Sequence, residues 1–425
     1  MNAWFAVYRV AARALVPLAQ RRLARGPGGP DRSGERRGDV PESGGELWIH
    51  AASVGEVQAA SGLVECLLDA DPALRIVVST MTPTGARRVE DRLGSRERVR
   101  HLFAPLDYRA AVARWLDRTA PRALLLVETE LWPEMLHACR ARDLPVAVVN
   151  ARISERAGRR YRLAAPLLRP MLAGLDRVLC QSREDADRFV ALGVPSERIA
   201  VTGNLKFDRD ESSIPGPADA PEWAPSGSRP CWVAGSTRAG DEPVLAGAQA
   251  QLVSAGSNAL LVAVPRHPER AGEAASTFRA AGLRVGMIDD GGDDIDVLVV
   301  DRIGVLEGLY AIASACYVGG TLEPAVGGHN LLEPAFAGKP VVAGPCVANQ
   351  AEAARALRRH DALVTVETAG ALARTLTEWL DDPDAAGAAG RRAREAARSL
   401  AGATDATMRK LSGWRGLAGG RSATS

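Results

Sequence analysis

The sequence predicts two doubly wound α/β domains facing each other, each a parallel sheet with its active edge at the carboxyl ends of the strands. Three observations carry this. From residue 47 onward short apolar runs alternate with stretches of helical spacing, as βαβ units require. One segment rich in Pro, Gly, Ser and acid, 208–230, interrupts the alternation and reads as an interdomain linker. At 425 residues the chain is also too long for one simple core.

In order, strands of the first domain are expected at LWIHAA (47–52), RIVVST (75–80), ALLLVET (123–129), PVAVVNAR (145–152), RVLCQS (177–182) and IAVTGN (199–204). Those of the second are expected at CWVAGS (231–236), ALLVAVPR (259–266), DVLVVD (296–301), ACYVGGT (315–321), PVVAGP (340–345) and ALVTVE (362–367). Short continuous apolar runs bounded by turn signals suit strands covered on both faces. The domains are then 46–207 and 231–413, with 208–230 between them and 414–425 as a tail. Residues 385–413 read as one long Ala/Arg helix that closes the structure.

Residues 1–45 stand apart as a helix and a linker. At about 100° per residue, Trp4, Val7, Tyr8, Ala11, Leu15 and Leu18 share one face. Arg9, Arg13 and Gln20 share the other, and Pro17 is expected to kink or end the helix. The run is too short and too charged to span a bilayer comfortably. Arginines inside the apolar region, with no small-residue cleavage site after it, argue against a signal peptide. The expectation is an interfacial helix with Arg21, Arg22 and Arg25 at anionic headgroups; the alternative is a helix packed on the domain itself. Residues 26–45, Gly, Pro and charge, read as linker.

Composition excludes several classes. Hydrophobic residues at 46% and charged residues at 24% are ordinary for a soluble chain. A net charge of +2 and 4% aromatics argue against a nucleic-acid partner. The six cysteines are scattered without a C-x-x-C pair, which fits a reducing cytoplasm and neither a disulfide framework nor a zinc site. His50, His267 and His329 stand singly, so no essential metal is expected. Lys339 is followed by Pro340, which removes a phosphate-binding P-loop, and no G-x-G-x-x-G opens the first βα unit.

The informative residues cluster where strands end. Glu56, Glu128 and Glu130, with Lys206, line one wall of the expected cleft, and Arg266 and glycine-rich turns line the other. Ser53-Val-Gly-Glu56 has two readings. One is a capping box, in which Ser53 caps the N3 amide and the glutamate reaches back; the other is a general base at the lip of the sheet. Glu333, three residues after Asn330, has the same ambiguity. Lys206 is one of only three lysines among many arginines. A site that needs a compact point charge takes lysine rather than the arginine fork.

The strings SVGE, MTPTG, ETELWPE, NARIS, GNLKFD, VPRHPER and GGHNLLEP, in that order over roughly residues 47–380, resemble the 3-deoxy-D-manno-octulosonic acid (Kdo) transferases of bacterial lipopolysaccharide synthesis. The resemblance implies a GT-B fold and a metal-independent, inverting transfer of Kdo from CMP-Kdo. The acceptor would be the 6′-hydroxyl of the lipid A precursor, lipid IVA. The N-terminal segment would be a short membrane anchor, at the cytoplasmic face of the inner membrane. By the same likeness Glu56 matches the base, and Glu128 and Lys206 match transition-state support. Pro265, Arg266, Gly304-Val305-Leu306 and Asn330-Leu331-Leu332-Glu333 match the CMP-binding positions.

Val305 stands where the family members carry glutamate, and Leu322-Glu-Pro-Ala-Val326 also departs from the usual form. Two rivals are a nucleotide-sugar epimerase on the same fold, which leaves the amphipathic N-terminus unexplained, and an inactive membrane-bound scaffold. Retention of Glu56, Glu128 and Lys206 together argues against the second.

Overall fold

The computed structural model describes residues 3–24 (side chains to residue 16), 32–209, 214–225, 229–288 and 294–417. Parts of both expected linkers, the end of the tail, and the side chains of Leu18, Gln20, Arg21, Arg22 and Arg25 lie outside the described residues. The chain divides into two units, residues 1–208 with 402–425, and residues 209–401.

Among the described residues the first unit holds seven strands: β1 (Leu47–His50), β2 (Ile76–Thr80), β3 (Val99–Phe103), β4 (Ala123–Val127), β5 (Val146–Ala151), β6 (Arg177–Cys180) and β7 (Ile199–Val201). All pairings are parallel, in the order β3-β2-β1-β4-β5-β6-β7. Alternate residues feed the two faces of the sheet, as a period of two demands. Trp48, Leu124, Leu126 and Val148 enter one core, and Leu47, Ile49, Leu125, Val127 and Val149 the other.

The second unit repeats the plan with β8 (Cys231–Thr237), β9 (Leu260–Pro265), β10 (Val285–Met287), β11 (Val297–Val299), β12 (Ala315–Val318), β13 (Val341–Ala343) and β14 (Leu363–Thr365). Its parallel order is β10-β11-β9-β8-β12-β13-β14. Trp232 and Ala234 face one core while Val233 faces the other.

The two strands that the apolar runs do not announce, β3 and β10, are both edge strands. An edge strand has one neighbour, so it can be short or polar. VRHLF is fully buried only at Leu102 and Phe103, and VGM has three residues.

The C-terminal region also differs from expectation. Residues 385–413 do not form one helix: Pro383–Arg398 is followed by a separate helix, Ala403–Leu411, with Gly402 at φ 97° between them. The second helix belongs to the first unit rather than the second. Asp208 explains the return. Its carboxylate accepts from the Gly402 amide at 2.6 Å, the Ala403 amide at 3.1 Å and the Thr404 amide, satisfying donors that a helix start leaves open. Ala403, Leu411 and Trp414 then complete the core under β1.

The first helix runs Ala3–Ala24, so Pro17 does not end it; a proline removes one hydrogen bond but leaves the rest of the ladder. The helical wheel also misassigns two residues. Tyr8 faces the domain rather than the apolar outer face, with its hydroxyl on Asp107 at 2.5 Å. Arg9 does not reach outward but forks onto Glu134 with two bonds of 2.7 Å. Phe5 is buried and packs on His137, ring centroids 4.6 Å apart. Trp4, Val7, Val10 and Leu15 are left exposed. The docked face thus combines the Arg9–Glu134 fork with a buried aromatic ring, and the outer face keeps the remaining apolar side chains.

Candidate active site

Strand order reverses between β1 and β4, the switch point at which open α/β sheets form ligand crevices. Glu56, Glu128 and Glu130 all follow these two strands. Glu56 sits in the first turn of the helix Val54–Ala70 and is buried. Its Oε2 accepts from the Ala52 amide at 2.7 Å and its Oε1 from the Ser53 hydroxyl at 2.9 Å. The capping box, one of the two readings of this segment, is therefore not formed. Ser53 occupies the N-cap position, but its side chain caps no amide of the helix; its proton goes to the glutamate. Both carboxylate oxygens are thereby fixed. Burial raises the Glu56 pKa, the neighbouring charges of Glu130 and Glu128 raise it further, and the Ser53 and Ala52 bonds partly oppose them.

Glu128 adopts a left-handed backbone, φ 62°, and its Oε1 meets Lys206 Nζ at 2.5 Å. Lys206 is carried on the turn Leu205–Phe207. Asn204 Oδ1 holds that turn through the Lys206 amide at 3.1 Å, and Asn150 Oδ1 holds it through the Leu205 amide at 3.0 Å. A methyl group built on Gly55 would lie 3.9 Å from Lys206 Nζ, so the lysine reaches the turn that carries Glu56. Glu130 accepts from the Trp132 indole at 2.6 Å and lies 3.8 Å from His50 Nε2. Burial alone would raise its pKa, but the His50 and Trp132 contacts outweigh it and lower it. The structure thus joins Glu56, Glu128 and Lys206, and adds Glu130, His50 and Asn150 around them.

In the second unit Pro265 ends β9 and Arg266 follows it, exposed. Gly304 turns at φ 86°, and Val305 and Leu306 open the helix Leu306–Ile312. Asn330 Oδ1 accepts from the Leu332 amide and its amide donates to Glu333, each at 3.0 Å. Leu331 and Leu332 are buried and offer no polar group. Burial raises Glu333, the charge of Glu307 adds to this, and Asn330, Arg209 and Arg266 pull the other way; these groups therefore share one neighbourhood. Glu307 is itself paired with Arg209 at 2.7 Å. His329 Nε2 accepts from Arg238 Nε at 3.4 Å. Burial, then the charges of Arg238 and Arg266, lower the His329 pKa to about 4. Arg238 and Arg266 make this edge cationic around a neutral imidazole. Among the described residues no group of three His, Cys, Asp or Glu side chains converges on a metal position. An open cavity of about 700 Å³ lies along Gly327, Cys346, Val347 and Arg355; none of the candidate residues lines it.

His50 and Arg238 carry no motif signal in the sequence, since their importance comes from partners far along the chain. Asn150 is visible as a strand-end polar residue, but its left-handed backbone, φ 52°, is not.

Two doubly wound units with polar groups at the strand ends define a GT-B-type α/β protein. The solved glycosyltransferase from Rickettsia africae has this fold, with a TM-score of 0.60 at 13% identity over 89% of this chain and 99% of that one. So does a UDP-GlcNAc 2-epimerase from Neisseria meningitidis, with a TM-score of 0.57 at 11% identity over 87% of this chain and 100% of that one. The fold alone therefore does not separate the two activities. Sequence does. The 3-deoxy-D-manno-octulosonic-acid transferase (kdotransferase) family model matches residues 31–209. The chain is also 36% identical to the 3-deoxy-D-manno-octulosonic acid transferase of Bordetella pertussis, over 96% of its own length and 99% of that protein's. It belongs to the Kdo transferase family, and so to the glycosyltransferases.

If Glu56 titrates in turnover, the acidic limb of the kcat/KM profile lies above the ordinary glutamate range. Glu130→Gln removes a like charge and shifts that limb to lower pH. Ser53→Ala removes a donor to the charged form and shifts it to higher pH. Two variant profiles that coincide with the parent's would remove Glu56 from that role.

Proposed function

We propose that the protein transfers Kdo from CMP-Kdo to the 6′-hydroxyl of a lipid A precursor, lipid IVA, with inversion, in lipopolysaccharide synthesis. Family membership supports Kdo transfer. The observation that carries the mechanism is a buried glutamate with both oxygens fixed, beside a Glu128–Lys206 pair. Glu56 removes the proton as the acceptor oxygen bonds to the anomeric carbon, and the bond from that carbon to the CMP phosphate oxygen breaks on the opposite face. A base raised by burial is a stronger proton acceptor near neutral pH.

Lys206, held by Glu128, offers a fixed positive charge where negative charge develops. Arg266, with Pro265, the Gly304–Val305–Leu306 turn and the Asn330–Leu331–Leu332–Glu333 segment, receives CMP; Arg238 strengthens the cationic edge. With Glu307 engaged by Arg209, the Gly304-to-Leu306 turn meets the nucleotide through its backbone. These cations make a metal unnecessary in this reading, and EDTA is expected to leave turnover intact; a strict, restorable requirement for Mg²⁺ would contradict it.

Peripheral attachment to the cytoplasmic face of the inner membrane is the companion proposal. Trp4 at 59%, Val7 at 63%, Val10 at 73% and Leu15 at 58% exposure form an apolar stripe on the first helix. No described helix is long and apolar enough to cross a membrane, so the proposed contact is interfacial. Trp4→Ser, Val10→Gln and Leu15→Gln together are expected to reduce sedimentation with anionic vesicles while sparing turnover on detergent-dispersed acceptor. Undiminished sedimentation would remove the stripe from that role.

Incubation with CMP-Kdo and lipid IVA, followed by mass measurement of the lipid, tests the reaction. An unmodified lipid would refute lipid IVA as the acceptor. Glu56→Gln is expected to fold, to keep CMP affinity and to lose roughly 10² or more in turnover. Parental turnover would return Glu56 to a structural role.

A further inference from the structure

The first helix is held to the domain at one particular place. Arg9 Nε meets Glu134 Oε2 and Arg9 Nη2 meets Glu134 Oε1, each at 2.7 Å, and the Glu134 side chain is 2% exposed. Tyr8 donates to Asp107 Oδ2. Asp107 in turn accepts from the Glu134 amide at 2.9 Å and the Met135 amide at 2.8 Å. Both contacts therefore converge on the first turn of the helix Pro133–Ala141.

That turn follows Glu128-Thr-Glu130-Leu-Trp132 directly, and the intervening chain has no slack. The Leu131 amide bonds the Thr129 carbonyl at 2.8 Å and the Trp132 amide bonds the Glu130 carbonyl at 3.1 Å. The Trp132 indole closes onto Glu130 and Leu131 is buried. A shift of the helix start is thereby passed to Glu130 and Glu128. Glu134 also explains the last letter of ETELWPE, for which the transfer chemistry has no use.

We propose that Tyr8 and Arg9 are positioning residues: the docked first helix sets the loop that carries Glu128 and Glu130. This rests on the reading of that loop as part of the transfer site. The physical reason is twofold. A buried carboxylate stripped of its cation is costly enough to make its surroundings rearrange. A catalytic geometry displaced by about 1 Å can lose on the order of 10² in rate. One helix then does two things, offering its apolar stripe outward and fixing the site inward.

The test uses the full chain with Arg9→Met and Tyr8→Phe, assayed on detergent-dispersed lipid IVA so that membrane attachment plays no part. Turnover is expected to fall roughly tenfold or more, with KM for CMP-Kdo unchanged and with faster amide hydrogen exchange across residues 129–135. Arg9→Lys should recover part of the rate. Exchanging the charges, Arg9→Glu with Glu134→Arg, should recover most of it. Parental turnover in both variants, or a loss that neither replacement recovers, would overturn the proposal. If the parent itself leaves lipid IVA unmodified, the transfer reading falls and takes this inference with it; an active parent with unaffected variants sinks the inference alone.

Discussion

Both units depend on one constraint: a parallel sheet covered on both faces has no place for unsatisfied polar groups along its strands. β1 and β4 are buried at every position. Two polar groups of β1 meet on one hydroxyl, with the Trp48 indole donating to Ser79 Oγ at 2.7 Å and His50 Nδ1 lying 2.8 Å from the same oxygen. Charged chemistry is therefore displaced to the carboxyl ends of the strands. Because the order turns at β1 and β4, the loops leaving these strands diverge to opposite faces and leave an opening between them.

The backbone at those ends is strained. Glu128, Asn150 and Ser236 follow or end β4, β5 and β8, and have φ of 62°, 52° and 56°. Such conformations cost of order 1–3 kcal/mol each and persist only where surroundings over-determine them. Here they are over-determined. The Glu128 amide bonds the Val149 carbonyl at 3.0 Å while its side chain meets Lys206. Asn150 holds the Leu205 amide. Ser236 lies at a register shift between β8 and β9, against Gly319, where an added methyl group would come within 2.5 Å of the Ser236 carbonyl oxygen.

In the first unit Lys206 is paired with Glu128, with Glu56 and Glu130 near them. In the second, Arg238 and Arg266 flank a neutral His329. In the proposed reaction, charges fixed in advance need no reorientation as it proceeds.

By itself the sequence determined where the buried strands lie, because a strand covered on both faces must be apolar throughout, and that is a local property. It also marked Glu56, Glu128, Lys206, Arg266 and Asn330 by their place after such runs. Tertiary structure alone decided the rest. The edge strands β3 and β10 need only one partner and so leave no apolar run to read. The helix Ala403–Leu411 returns to the first unit because Asp208, nearly two hundred residues earlier, caps it. Ser53 donates to Glu56, whose other oxygen is held by the Ala52 amide, and caps no amide of the helix. The first helix docks with Arg9 forked onto Glu134 and Phe5 buried. The Asp208 cap and the Arg9–Glu134 pair join residues far apart in the chain, and periodicity reports only what neighbouring residues share.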